Sequence, residues 1–172
     1  MFIDESAVLT SMARRYGRSP RRQRAPAKLP FGNWKRLSVL GAISLDGMVA
    51  AMSVDAATDS AVFTAYLDEV LLPTLRREKP DAVLVMDNLR AHKTPEVQGV
   101  LDRLGFAYRY LPSDSPDLSP IERGWAKVKS SLRRIAARTV KALEHALGPA
   151  LNTITVQDAK SFFRHCGYPC PN

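Results

Sequence analysis

The sequence predicts an α/β fold, a mixed sheet flanked by helices, and three observations carry that expectation. Residues 83–86 (VLVM) are consecutively apolar, as in a strand covered on both faces. Residues 36–54 hold two apolar runs around Asp46-Gly47, a dipeptide suited to a tight hairpin turn. Residues 60–78 and 120–135 repeat apolar side chains at helical spacing. A chain of 172 residues with 45% hydrophobic content suffices for one buried core, so a single domain over residues 1–172 is expected.

In chain order, Phe2 and Ile3 read as a strand stub ending at Asp4. Residues 14–36, rich in Arg and Pro, read as an extended connection. The hairpin follows, and then a helix capped by Thr58 or Asp59, with Val62, Phe63, Tyr66, Leu67, Val70 and Leu71 on its apolar face and Pro73 as a possible kink. The apolar strand at 83–86 delivers Asp87 at its C-terminal end. A helix over 95–104 closed by Gly105, and a short strand within 107–112, come next. In the helix after Ser119, the residues Ile121, Trp125, Val128, Leu132 and Ile135 form one buried stripe, which assigns Trp125 to the core. Glu122, Lys129 and Arg133 share a second line offset by about 100°. The remainder reads as one or two helices interrupted at Gly148-Pro149, with Cys166 and Cys170 in the tail as reduced thiols.

The formal charge of +8 points to a polyanionic partner, nucleic acid before a membrane surface. Residues 14–36 contain nine basic residues and no acidic one, leaving 16 basic against 17 acidic elsewhere. One segment therefore carries the whole imbalance, either as a solvated arm or as a phosphate-contacting loop. No stretch approaches the roughly 20 apolar residues of a membrane span, and no signal peptide is legible. A cytoplasmic location follows as the expectation.

Three carboxylates fall at expected element ends: Asp4, Asp87 and Glu122. Sites in open sheets gather beyond the carboxyl ends of strands, and clustered carboxylates call for a divalent cation, Mg²⁺ rather than zinc for oxygen donors. Two such ions would suit in-line attack on phosphorus. Each residue has an alternative use. Glu122 stands third after Ser119-Pro120, a capping-box spelling, and Asp87-Asn88 could turn the chain. Asp114 and Asp117 read as turn or cap residues, and His92 either as a local hydrogen-bonding group or as a phosphate contact. Glycine-rich phosphate loops and Ser-His-Asp spellings are absent.

The strings FIDES, VLVMDNLRAHK and LPSDSPDLSPIERGWAKVKSSLRR together resemble the catalytic domain of DDE transposases from bacterial insertion sequences, in the branch related to mariner elements. Asp87, Asn88 and His92 match that family's second acidic string. Residues 115–122 match its third, and 34 residues separate Asp87 from Glu122, the family's interval. RRYGRSPRRQR also resembles the segment after its first aspartate. The resemblance implies a ribonuclease-H-like fold with Asp4, Asp87 and Glu122 as catalytic residues and ligands of Mg²⁺, replaceable by Mn²⁺. It implies DNA cleavage and strand transfer at transposon ends and target, by a homo-oligomer on DNA in a prokaryotic, nucleoid-associated setting. The phosphate-contact candidates are Arg14, Arg15, Arg18, Arg21, Arg22 and Arg24 in the connection, then His92, Lys129 and Arg133. Position 114 is Asp where the family often has an aromatic residue. Family members carry a helix-turn-helix region before the first aspartate, expected here as a separately encoded portion. The rival expectation is an inactive DNA-binding relic.

Overall fold

The computed structural model describes residues 1–170. Five strands, β1 (Phe2–Leu9), β2 (Arg36–Ser44), β3 (Gly47–Val54), β4 (Leu84–Met86) and β5 (Tyr108–Tyr110), make one sheet in the order β3-β2-β1-β4-β5. The β1-β2-β3 meander is antiparallel, while β4 and β5 run parallel to β1. The expected mixed sheet is thus present. Its helices are α1 (Ser60–Ala65), α2 (Leu72–Glu78), α3 (Pro95–Leu104), α4 (Pro120–Ile135), α5 (Val140–Leu151) and α6 (Val156–His165).

Strand alternation sends neighbouring residues into two separate cores. Phe2, Val39 and Ile43 pack with Trp125, Val128 and Leu132 of α4 and with residues of α5 and α6. Ile3, Leu40, Leu84 and Met86 pack with Phe63, Leu67, Leu71, Val97 and Leu101 on the other face. Each such side chain contributes about 1.5–3 kcal/mol when fully buried, against cross-strand pair terms of roughly 0.2–1 kcal/mol. Helix cover on both faces therefore holds the three-residue β4 and β5 in place more than their own pairing does.

Five sequence expectations are corrected. β1 does not stop at Asp4: it pairs with β2 along its full eight residues, from Phe2 opposite Ile43 to Leu9 opposite Arg36. The polar run Asp4-Glu5-Ser6 hid this strand from a periodicity argument, because a backbone ladder needs no apolar side chains. Val83 lies outside β4 and is 45% exposed, so the buried strand is shorter than the apolar run. Ile135 closes α4 at 49% exposure, beyond the reach of the core. α5 continues through Gly148-Pro149, with Pro149 near its C-terminal end, and the chain breaks after Leu151 instead. The hairpin turn falls on Leu45-Asp46, one position early, with Gly47 (φ +114°) already pairing with Ser44.

The helix expected over 60–78 does form, from an Asp59 cap whose carboxylate accepts the Val62 N–H at 2.9 Å. Its middle, Tyr66–Leu71, widens into a π-type turn directly before Pro73. Proline lacks the N–H that would close the regular bond and crowds the preceding carbonyl, and the wider turn absorbs that conflict. Arg36, expected in the long connection, opens β2 opposite Leu9, while residues 14–35 form that irregular, mostly exposed connection, as expected. Its base is closed, since Thr10 N–H donates to Lys35 O at 3.0 Å and Lys35 N–H donates to the Thr10 hydroxyl at 3.0 Å.

Candidate active site

The register of the sheet sets two aspartates side by side. Phe2 pairs with Val85 in the parallel β1-β4 ladder, so two residues further along each chain come Asp4 and Asp87. Neighbouring strands run about 4.8 Å apart, so Asp4 on β1 and Asp87, the first residue after β4, emerge at the same end of adjacent strands. Glu122 comes from the first turn of α4. Asp4, Asp87 and Glu122 line one cleft of about 370 Å³, together with Asn88, Ser113 and Ser119.

The alternative uses of these residues are visible as well. Asp87 Oδ1 accepts the Leu89 N–H at 3.2 Å, a turn-forming bond that leaves the carboxylate in the cleft. The Ser119 side chain makes no cap bond, so no capping box engages Glu122, and this carboxylate stays exposed. Trp125 is buried, as its place in the stripe implied, but its indole also donates from Nε1 to Asp4 Oδ2 at 3.0 Å. Space for the ring comes from Gly41, the β2 residue opposite Asp4: a Cβ there would stand 2.8 Å from the indole. Gly41 carried a legible signal, because glycine within a strand often marks a close approach.

Electrostatics in the cleft are adverse for three bare anions. Burial, then Glu122, and more weakly Asp87 and Glu5, push the Asp4 carboxyl up to about 7. Asp87 behaves oppositely. Burial raises it, but His92 and the Leu89 amide outweigh that and hold its carboxyl below the usual range. Three oxygen-donor residues carrying this repulsion fit a hard divalent cation such as Mg²⁺. Among the described residues, however, no three His, Cys, Asp or Glu side chains are gathered closely enough to hold an ion as they stand.

His92 overturns the expectation of a phosphate contact. It is 1% exposed, its ring stacked on Phe63 at 4.1 Å between centroids, so DNA has no path to it. Nδ1 lies 2.6 Å from Asp87 Oδ1 and Nε2 lies 3.6 Å from Glu5 Oε2. Burial lowers the affinity of this ring for a proton, and the two carboxylates outweigh it, pushing His92 up to about 9. Glu5, unnoticed in the sequence beside Asp4, is the partner that periodicity could not reveal.

The basic candidates divide into two groups. Arg14 and Arg15 meet Arg133 and Arg134 of α4, with Tyr16 and Ser130, around a groove of about 490 Å³. Burial and the proximity of Arg15 lower the Arg133 pKa, a sign that like charges are gathered there. Arg138 fixes this end, donating from Nη1 to the carbonyls of Thr10 (3.0 Å) and Met12 (2.8 Å). Arg18, Arg21, Arg22 and Arg24 are exposed along the connection, and Lys129 is half-buried on α4. Cys166 and Cys170 are free thiols. Among the described residues no helix is long and apolar enough to cross a membrane.

The fold has counterparts among solved structures. The Mos1 mariner paired-end complex with Mn matches with a TM-score of 0.73 at 16% identity, covering 96% of this chain and 51% of that one. The Mos1 strand transfer complex matches at 0.68 and 17% identity, over 96% and 50%. The catalytic domain of Mos1 mariner transposase matches at 0.66 and 14% identity, over 96% and 75%. The chain spans about half the length of the transposase chains in those complexes. Likeness at this identity establishes a shared fold, the ribonuclease-H-like sheet of the Mos1 catalytic domain. No curated protein sequence matches. The model of the DDE superfamily endonucleases matches residues 1–144, which include Asp4, Asp87 and Glu122, and the chain therefore belongs to the DDE superfamily endonuclease family.

Proposed function

We propose that the chain is the catalytic domain of a DNA transposase, spanning residues 1–172, in which Asp4, Asp87 and Glu122 hold divalent metal for strand cleavage and strand transfer. The observation that carries this reading is the common cleft lined by carboxylates from β1, from the end of β4 and from α4. The chemistry supplied by bound Mg²⁺ or Mn²⁺, with two ions as the expected number, is deprotonation of an attacking water or 3′-hydroxyl and stabilisation of the departing oxygen. Repulsion at Asp4 supports the reading, since a cation would relieve it.

The protein's own groups supply alignment. α4 links cleft to groove: Arg133 stands eleven positions after Glu122, about 16 Å at 1.5 Å per residue. That is roughly five base pairs of duplex, so a strand whose backbone lies on Arg14, Arg15 and Arg133 would reach the carboxylates a half-turn away. Arginines at phosphates fix register without reading bases. Transposon ends and target DNA are the proposed partners, with a homo-oligomer on DNA.

Plasmid nicking by the purified chain in Mn²⁺ tests the proposal. Asp87→Asn is expected to lower nicking by roughly 10³-fold or more, equivalent to about 4 kcal/mol, while the circular dichroism spectrum and DNA affinity stay within twofold. Salt-sensitive DNA binding by the unaltered chain, with no metal-dependent nicking, would instead identify a DNA-binding relic.

A further inference from the structure

Asp87 follows a strand of three residues and begins a loop, a poor mount for a group that must meet an ion within a few tenths of an ångström. What stiffens it lies on the far face of the sheet. Alternation along β1 turns Asp4 toward α4 and Trp125, and turns the next residue, Glu5, toward His92. His92 then stands between the Glu5 and Asp87 carboxylates, with Nε2 toward the first and Nδ1 toward the second. The ring has little freedom. Phe63 stacks on it with 28° between planes, and the Tyr110 hydroxyl donates to the His92 carbonyl at 2.9 Å.

A second observation points to a use for this arrangement. Glu5 Oε2 and both ring nitrogens of His92 are buried without an aligned hydrogen bond, although ion-pair distances connect them. Buried polar atoms in that condition are costly, and a core built for stability alone would place apolar side chains there. His92 and the Leu89 amide both go to Oδ1 of Asp87, whereas Oδ2 has no hydrogen bond among the described residues. One oxygen is anchored and the other is left to the cleft.

We infer that His92 and Glu5 are positioning residues: through His92, Glu5 holds Asp87 with one oxygen turned toward the metal, so that of two consecutive residues of β1, Asp4 faces the cleft and Glu5 supports Asp87 from the opposite face. The inference rests on the proposed metal-binding role of Asp87. Partners one step removed from a metal ligand typically govern affinity by about 10–100-fold, which sets the scale of the effect.

The test is Mn²⁺ affinity, measured by calorimetry or electron paramagnetic resonance on the full chain, beside thermal unfolding and DNA binding as controls. His92→Gln, whose amide can mimic Nε2 but not Nδ1, is expected to weaken Mn²⁺ binding by about 10–100-fold. His92→Asn, whose amide can mimic Nδ1, should recover most of that loss. Glu5→Gln, which keeps shape and loses charge, should weaken binding by several-fold with DNA affinity unchanged. A folded His92→Gln protein that binds Mn²⁺ within twofold of the unaltered chain overturns the inference. Should that variant not fold, Glu5→Gln decides in the same way. Asp87→Asn separates the two levels: if the unaltered chain binds Mn²⁺ and Asp87→Asn binds equally well, the metal-binding role itself fails and the positioning role falls with it.

Discussion

Asp4 and Asp87 sit where every neighbour is specified, whereas the arginines of residues 14–24 sit where almost none is. Asp4 is fixed by a buried indole whose ring fits only because Gly41 has no side chain. Asp87 is flanked by a buried imidazole and a backbone amide. By contrast, the connection carries its charge on exposed side chains and is tied to the rest of the fold at its base, by Thr10, Lys35 and Arg138. The difference fits the role proposed for each charge. Metal ligation tolerates errors of a few tenths of an ångström, while attraction to a phosphate backbone falls off over a Debye length of about 8–10 Å.

That contrast can be broken by substitution, starting where the effect should be greatest. Trp125→Ala empties the site beneath Asp4 and is expected to cost about 3–5 kcal/mol, seen as a lowered denaturant midpoint; Trp125→Phe keeps most of the packing and isolates the lost N–H. Gly41→Ala drives a methyl into the indole and should cost about 1–3 kcal/mol. Were either variant as stable as the parent, the claim of a tightly specified cleft would be wrong. Replacing Arg14, Arg15 and Arg133 together by Ala should leave stability within roughly 0.5 kcal/mol per site. Its expected signature is a salt dependence of DNA binding shallower by up to about 0.9 per lost phosphate contact, and an unchanged slope would exclude the groove as a DNA contact.

α4 belongs to both regions, and its outer side supplies the smallest effect. Lys127 pairs with Asp158, whose carboxylate also closes the capping box of α6 with Thr155. The Lys127 contact first, and then the Thr155 bonds, hold Asp158 down at about 2. A depressed carboxyl stabilises the fold above its unfolded value near 3.8, and that stabilisation disappears as pH falls through about 2. Asp158→Asn should therefore cost about 1 kcal/mol at pH 7, the scale of a helix cap, and the difference from the parent should vanish below pH 2 in acid titrations of stability.

Much of this architecture was legible in the residues themselves. The apolar stripe of α4, the hairpin and the Gly105 stop are local patterns, and local patterns survive folding. The partnership of Glu5 with His92, 87 positions apart, is not local, and neither is the meeting of Trp125 with Asp4, 121 apart. A periodicity argument could place Trp125 in the core but could not say which polar group its N–H would find there. β1 shows the same limit from the other side: its polar centre, Asp4-Glu5-Ser6, breaks the alternation, and Asp4 and Glu5 there meet Trp125 and His92 on opposite faces of the sheet. His92 read as a loop residue for the same reason, since burial under Phe63 depends on a helix about 30 positions away.

The reciprocal Thr10 and Lys35 bonds make the long connection a closed bag with a tied neck. Because doubling such a loop costs only about 0.6 kcal/mol in closure entropy, its length is nearly decoupled from the stability of the sheet beneath. The segment between those two residues could thus be lengthened, shortened or recomposed without refolding the sheet below.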